Sequence, residues 1–154
     1  MGVAMTLQRY LDDLHVSYDV ITHKKTGSSS MSAQSSHISG NSLAKGVVLK
    51  SDSSYILAVL PATCQVELER LQDLVDGPVT LATESEASQL FPDCREGAVP
   101  ALGAAYGLPA VVDEQLDSCD DIYFEGGDHR SLVHISGDQF GRLTSEIPHG
   151  RFSS

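Results

Sequence analysis

Few residues in this chain have both the type and the spacing to do chemistry. Six His and three Cys are the first candidates. No HxxxH or HExxH pair falls on a helical stretch. His129 and His134 stand five apart, which puts them on opposite sides of one strand. The spacing therefore predicts no metal site and no cofactor. Cys94 is flanked by Asp93 and Glu96, and Cys119 by Asp120. Neighbouring carboxylates raise a thiol pKa, so these are read as structural thiols rather than nucleophiles. Neither a G-x-S-x-G elbow nor a phosphate-binding GxxxxGK[ST] is present, and no GxGxxG opens a helix after a strand. Three features remain: Lys45 at the head of an apolar run, the loop Gly97-Ala98-Val99-Pro100-Ala101-Leu102-Gly103, and the loop Gly126-Gly127-Asp128-His129. Small residues at 97–98 let a backbone approach a ligand closely, and the following Pro stiffens the turn. Such a loop can aim main-chain N–H groups at a single oxygen.

Those residues need elements to hold them. Leu7, Tyr10, Leu11 and Leu14 recur at helical spacing, predicting a helix over 5–14. Residues 16–21 alternate as a strand. Residues 22–32 read as a Ser/Gly-rich surface loop, and Ser32 can cap a short helix over 32–39. Strands over 45–50 and 55–60 flank a polar turn, Ser51 to Ser54, and predict a hairpin ended by Pro61. Val66, Leu68, Leu71, Leu74 and Val75 predict a helix over 65–75. Thr83 with Glu86 forms a capping box for a helix over 84–91. After the Pro/Gly-rich stretch 92–109 come strands at 110–112, 122–124 and 131–135. A short turn or helix at 113–119 and a final helix at 138–144, capped by Ser136, complete the set. Strands and helices do not alternate strictly, so the expectation is one α/β domain: a mixed, mostly antiparallel curved sheet with helices packed outside. The domain is expected over 5–145, with residues 1–4 and 146–154 flexible.

Charge narrows the partners. The chain of 154 residues carries 10 Lys and Arg against 21 Asp and Glu, a net charge of −11. Residues 51–128 hold 2 basic and 16 acidic side chains; residues 1–50 hold 5 and 3, and residues 129–154 hold 3 and 2. So acidic a middle repels phosphate backbones and argues against binding DNA or any duplex over a broad face. A small anion site near Lys24, Lys25, Lys45 and Arg130 remains compatible. Unpaired Cys64, Cys94 and Cys119, no leader pattern and no long apolar run predict a cytoplasmic protein without membrane association.

Taken in order, Ala44–Lys50, Ala58–Ala62, Glu96–Gly103, Val112–Asp113 and Phe124–His129 resemble the YbaK-type aminoacyl-tRNA deacylases. These are free-standing relatives of the editing domain inserted in bacterial prolyl-tRNA synthetases. The resemblance spans roughly residues 5–145. It implies hydrolysis of the ester joining a wrong, small amino acid (Ala, Cys, Ser or Thr) to the 3′ end of a tRNA. It places the family lysine on Lys45 and the family glycine loop on Gly97, Ala98, Val99, Pro100 and Ala101. It places substrate contacts on His23, Thr26, Gly127, Asp128 and His129. The implied partners are the tRNA acceptor end and, secondarily, an aminoacyl-tRNA synthetase; no metal or cofactor is implied. One departure is Ala101, where the family loop often carries a second proline. A catalytically silent binding module of the same fold, or an esterase of small molecules, are the alternatives.

Overall fold

The structure is a computed structural model, and it describes residues 2–23, 38–52 and 54–154. The expected helix at 32–39 and the loop residues Lys24, Lys25 and Thr26 fall largely or wholly outside that set. The alternation of 43–51 and 54–61 yields the central hairpin, β2 (Leu43–Ser51) and β3 (Ser54–Pro61). Its ladder runs without a bulge from Ala44 opposite Pro61 to Ser51 opposite Ser54. The connection is thus shorter than the expected four-residue turn, and Asp52 takes a positive φ of 50° to close it.

Around this hairpin stand β1 (Asp19–Thr22), β4 (Thr80–Leu81), β5 (Ala110–Asp113), β6 (Asp121–Glu125), β7 (Ser131–Ser136) and β8 (His149–Gly150). The sheet order is β1-β7-β6-β2-β3-β5-β8, with β4 paired to β2 off that path. Pairings β1·β7, β6·β7, β2·β3 and β2·β4 are antiparallel, whereas β2·β6, β3·β5 and β5·β8 are parallel. The sheet is mixed and mostly antiparallel, with helices outside, as the pattern of elements predicts.

The helices are α1 (Met5–Asp13), α2 (Leu68–Val75), α3 (Glu84–Leu90) and α4 (Gly137–Leu143). The predicted capping box of Thr83 with Glu86 forms on α3, and the predicted cap Ser136 forms a second capping box, with Gln139, on α4. Period-two alternation splits the hairpin between two cores. Ala44, Val48, Leu57 and Val59 pack with Leu7 and Leu11 of α1 and Phe140 of α4. Leu49, Ala58 and Leu60 pack with Leu71 of α2 and with Phe152.

Both chain ends depart from the expected flexibility. Val3 and Ala4 are buried, and the Ala4 N–H donates to the Gly126 carbonyl at 2.8 Å. At the other end β8 extends the sheet and Phe152 is 0% exposed. The cause is Asp113, a buried carboxylate at the end of β5. It accepts from Gln115 N at 2.9 Å, Phe152 N at 3.0 Å and Ser153 Oγ at 2.7 Å. Burial alone would raise the pKa of Asp113, but these donors outweigh it and hold the carboxyl below its ordinary value. A tail rich in small polar residues looked free to fray only because its anchor lies 39 residues away in sequence.

Asp113→Asn is expected to lower the unfolding free energy at neutral pH by about 1–3 kcal/mol. A group with a depressed folded pKa stabilises above its unfolded pKa and loses that contribution as pH falls through the folded value. The gap between wild type and variant should therefore close below the ordinary Asp value of 3.8. Urea denaturation at a series of pH values measures it; coincident curves at pH 7 would remove Asp113 as the anchor of the tail.

Candidate active site

The outer edge of β2 is shared by two strands that do not meet. Leu43 and Ala44 pair with β6, and Leu49 and Lys50 pair with β4. Among the described residues, 45–48 between them have no strand neighbour on that edge. A cavity of about 260 Å³ occupies the opening. Gly46, Val47 and Val48 form one wall, Ala87 and Phe91 of α3 with its flank form another, and Gly97 and Val99 close it. Ala87 and Phe91 are four residues apart, so both lie on the face of α3 that the capping box turns toward the sheet. Glu84, Arg95 and Glu96 stand at its rim. Glu96 hydrogen-bonds Glu84 and repels its charge, and both effects raise the Glu84 pKa.

The Gly97 loop is seated on the strand by the absence of a side chain at 46. A Cβ there would lie 2.8 Å from Leu57 Cδ1, 3.2 Å from Val99 Cγ1 and 3.4 Å from the Pro100 carbonyl. Gly97 itself has φ 82°, which a non-glycine residue rarely adopts. Pro100 and Ala101 are buried and pack beneath the loop. Within the loop that was expected to offer main-chain N–H groups to a ligand, Ala98 turns inward. Its N–H donates to the Arg95 carbonyl at 3.0 Å and its side chain is fully buried. Gly97 and Val99 are the loop residues that reach the cavity.

The Gly126–His129 loop is where the structure most changes the sequence reading. Its residues do not line this cavity; they hold the loop that does. The Gly127 carbonyl accepts from Arg95 N at 2.7 Å. His129 is 6% exposed, sits at φ 62°, and its Nε2 bonds the Glu96 carbonyl, the residue just before Gly97. Among the described residues, its buried Nδ1 has no hydrogen-bond partner. The Asp128 carboxylate is spent on its own turn, accepting from Arg130 N, Ser131 N and Ser131 Oγ. Gly127 and Asp128 border a different groove, shared with Val3, Ala4 and Cys94.

Lys45 also lies apart from the cavity wall. In an unbulged strand it faces the side opposite Gly46, the side of Val47, Leu49 and Cys64. Burial lowers its pKa from the ordinary lysine value, and Cys64 acts in the opposite direction. His23 ends β1, its N–H donating to the Arg130 carbonyl at 2.8 Å, and Thr26 lies outside the described residues. Sequence reasoning missed Ala87, Phe91 and the Glu84–Glu96 pair. The capping box gave the position of α3, but nothing local tells which sheet edge α3 will cover.

Residues 23–143 match the model of the aminoacyl-tRNA editing domain. The chain belongs to the aminoacyl-tRNA editing domain family. Among solved structures, a protein described as a candidate trans-editing enzyme for prolyl-tRNA synthetase superposes with a TM-score of 0.82 at 23% identity, covering 97% of this chain and 95% of that one. A protein described only as hypothetical superposes at 0.86 with 19% identity, covering 97% and 99%. A scaffold used in computational epitope grafting superposes at 0.83 with 22% identity, covering 98% and 97%. No curated protein matches the chain. At these identities the superpositions establish the fold of the editing domain. Among the described residues, no helix is long and apolar enough to cross a membrane.

Within this editing domain the environment of Cys94 disfavours its thiolate. Burial pushes Cys94 up to about 11, the Tyr106 hydroxyl opposes that, and Asp93 adds to it. At pH 8 roughly one Cys94 in a thousand is then a thiolate, so its reaction with Ellman's reagent should run roughly a hundredfold or more slower than that of a free thiol. Peptide mapping after timed quenching measures this; a Cys94 rate equal to that of free cysteine would show that the thiol is activated.

Proposed function

We propose that this editing domain works in trans as an aminoacyl-tRNA deacylase, hydrolysing the ester of a small amino acid attached to the wrong tRNA. The observation that carries the reading is the cavity at the open edge of β2, closed by a glycine loop with a fixed backbone. Water attacks the ester carbonyl, oriented by the vicinal ribose hydroxyl. The Gly97 and Val99 amides donate to the oxyanion as it forms, in a site whose donors are set before the reaction. His129 and Gly127 act through the loop, keeping Glu96 and Arg95 in place, and Pro100 and Ala101 support it from below. Lys45, on the same open stretch of β2, holds the phosphate or ribose of the terminal nucleotide, and the family resemblance assigns His23 and Thr26 to contact with the amino acid. A small apolar chamber admits small side chains and excludes large ones, the second half of a double sieve.

The acidic surface is compatible with a ligand gripped only at its single-stranded 3′ end. Weak contact with the rest of a tRNA lets correctly charged molecules leave. The expected setting is the cytoplasm, with an aminoacyl-tRNA synthetase as a second partner.

The test is single-turnover release of amino acid from a panel of mischarged tRNAs carrying Ala, Cys, Ser or Thr, with free aminoacyl esters as controls. Lys45→Ala should reduce the rate on the order of a hundredfold, since a charged hydrogen bond is worth about 1.5–3 kcal/mol and misplacing the ester adds to its loss. Lys45→Arg should restore only part of it. No release from any charged tRNA would sink the hydrolase reading and leave an amino-acid-binding module; wild-type rates for folded Lys45→Ala would remove Lys45 from the site.

A further inference from the structure

The open stretch of β2 carries more than a wall. Leu57 N–H donates to the Pro109 carbonyl, away from β2, so its ladder partner Val48 is likewise turned away from β3. Consistent with this, the Val48 carbonyl accepts from Ala82 N–H at 3.0 Å on the outer edge. Gly46, two residues back, has the same orientation. Pairing with β6 stops at Ala44 opposite Phe124, and pairing with β4 begins at Leu49 opposite Leu81. Among the described residues, the Gly46 N–H, the Gly46 carbonyl and the Val48 N–H therefore face the cavity without a main-chain partner. Gly46 is half-buried and Val48 buried, so these three main-chain groups are available to whatever occupies the chamber.

We propose that an α-aminoacyl group completes this ladder as a one-residue strand opposite Gly46. In an antiparallel sheet, two directly opposed residues exchange both N–H···O bonds. An aminoacyl ester offers the same pair of groups on adjacent carbons. Its ammonium donates to the Gly46 carbonyl, and in the bound ester its acyl oxygen accepts from the Gly46 N–H, with the Val48 N–H beside it; the Gly97 and Val99 amides, on the opposite wall, join as donors when the oxyanion forms. Paired in this way, the side chain of the ligand leaves on the face of Gly46, where Val99 lies. The carboxyl pair Glu84 and Glu96 at the rim favours a cation entering the chamber. Recognition thus rests on the main chain and the α-ammonium, which every amino acid shares, while the apolar chamber selects the side chain. This inference rests on the deacylase reading of the site and adds the atoms that hold the amino acid.

The probe is 3′-amino-3′-deoxyadenosine acylated with alanine, whose amide resists hydrolysis, compared with the same nucleoside acylated with propionic acid, which lacks the ammonium. Titration into the ¹⁵N-labelled protein should shift the Gly46 and Val48 amide protons downfield and slow their exchange. The propionyl probe should bind about 10- to 100-fold more weakly, as expected for loss of a charge-assisted hydrogen bond. Equal affinity for the two probes, or binding of the alanyl probe that leaves the Gly46 amide unmoved, would overturn the proposal. If deacylation of charged tRNA proceeds while Gly46 is unmoved, this assignment alone falls. If Gly46 responds to the probe but no charged tRNA is hydrolysed, the ladder assignment stands and the hydrolase reading falls. Neither binding nor hydrolysis overturns both.

Discussion

Everything in the site follows from the way β2 divides its outer edge. A strand nine residues long is held along one side by β3 over its full hairpin register. On the other side β6 takes its beginning and β4 its end. The middle is left open because the two neighbours reach β2 from different parts of the chain. The β6 strand runs parallel to it and ends at Glu125, and β4 arrives antiparallel just before α3. A helix and a glycine loop cover the gap instead of a strand. They leave a chamber where a continuous ladder would have left none.

The chamber keeps its shape because the loop closing it is fixed from several sides. Gly46 admits Val99 and Pro100 against the strand. The Ala98 amide closes the turn onto Arg95, while the Arg95 amide is tied to Gly127 and the Glu96 carbonyl to His129. The β6–β7 connection that supplies Gly127 and His129 is in turn held by the N-terminal segment through Ala4 and Gly126. Each of these bonds is of modest net worth, about 1 kcal/mol. Together they set the position of two amides, and the deacylase proposed above, working through main-chain donors, would depend on that position. The Cys94 thiol is half-buried beside Tyr106, and burial raises its pKa.

Electrostatics divides the labour in the same way. The carboxylates at the chamber rim oppose phosphate and favour an ammonium, whereas Lys45 stands on the other face of β2. On the deacylase proposal, a ligand lying across the gap would present its aminoacyl end to one face and its nucleotide to the other, and a net charge of −11 disfavours further contact along a duplex.

Local signals alone determined much of this. Alternation fixed the β2–β3 hairpin, helical spacing placed Leu7 and Leu11 of α1 in the core, and the Thr83–Glu86 capping box and the Ser136 cap announced their helices. These are properties of a few adjacent residues, so a sequence states them directly. Lys45 and the 97–101 loop also stood out, because a lysine heading an apolar strand and a Gly/Pro loop are local anomalies. What the sequence left undecided was long-range. The two-residue strands β4 and β8 are too short to show a period, and they exist only because β2 and β5 offer them an edge. Asp113 anchors a tail 39 residues away, and His129 bonds the Glu96 carbonyl 33 residues away. Ala87 and Phe91 became chamber walls once α3 settled over the gap. Such roles depend on which edges meet in space, and only the folded sheet decides that.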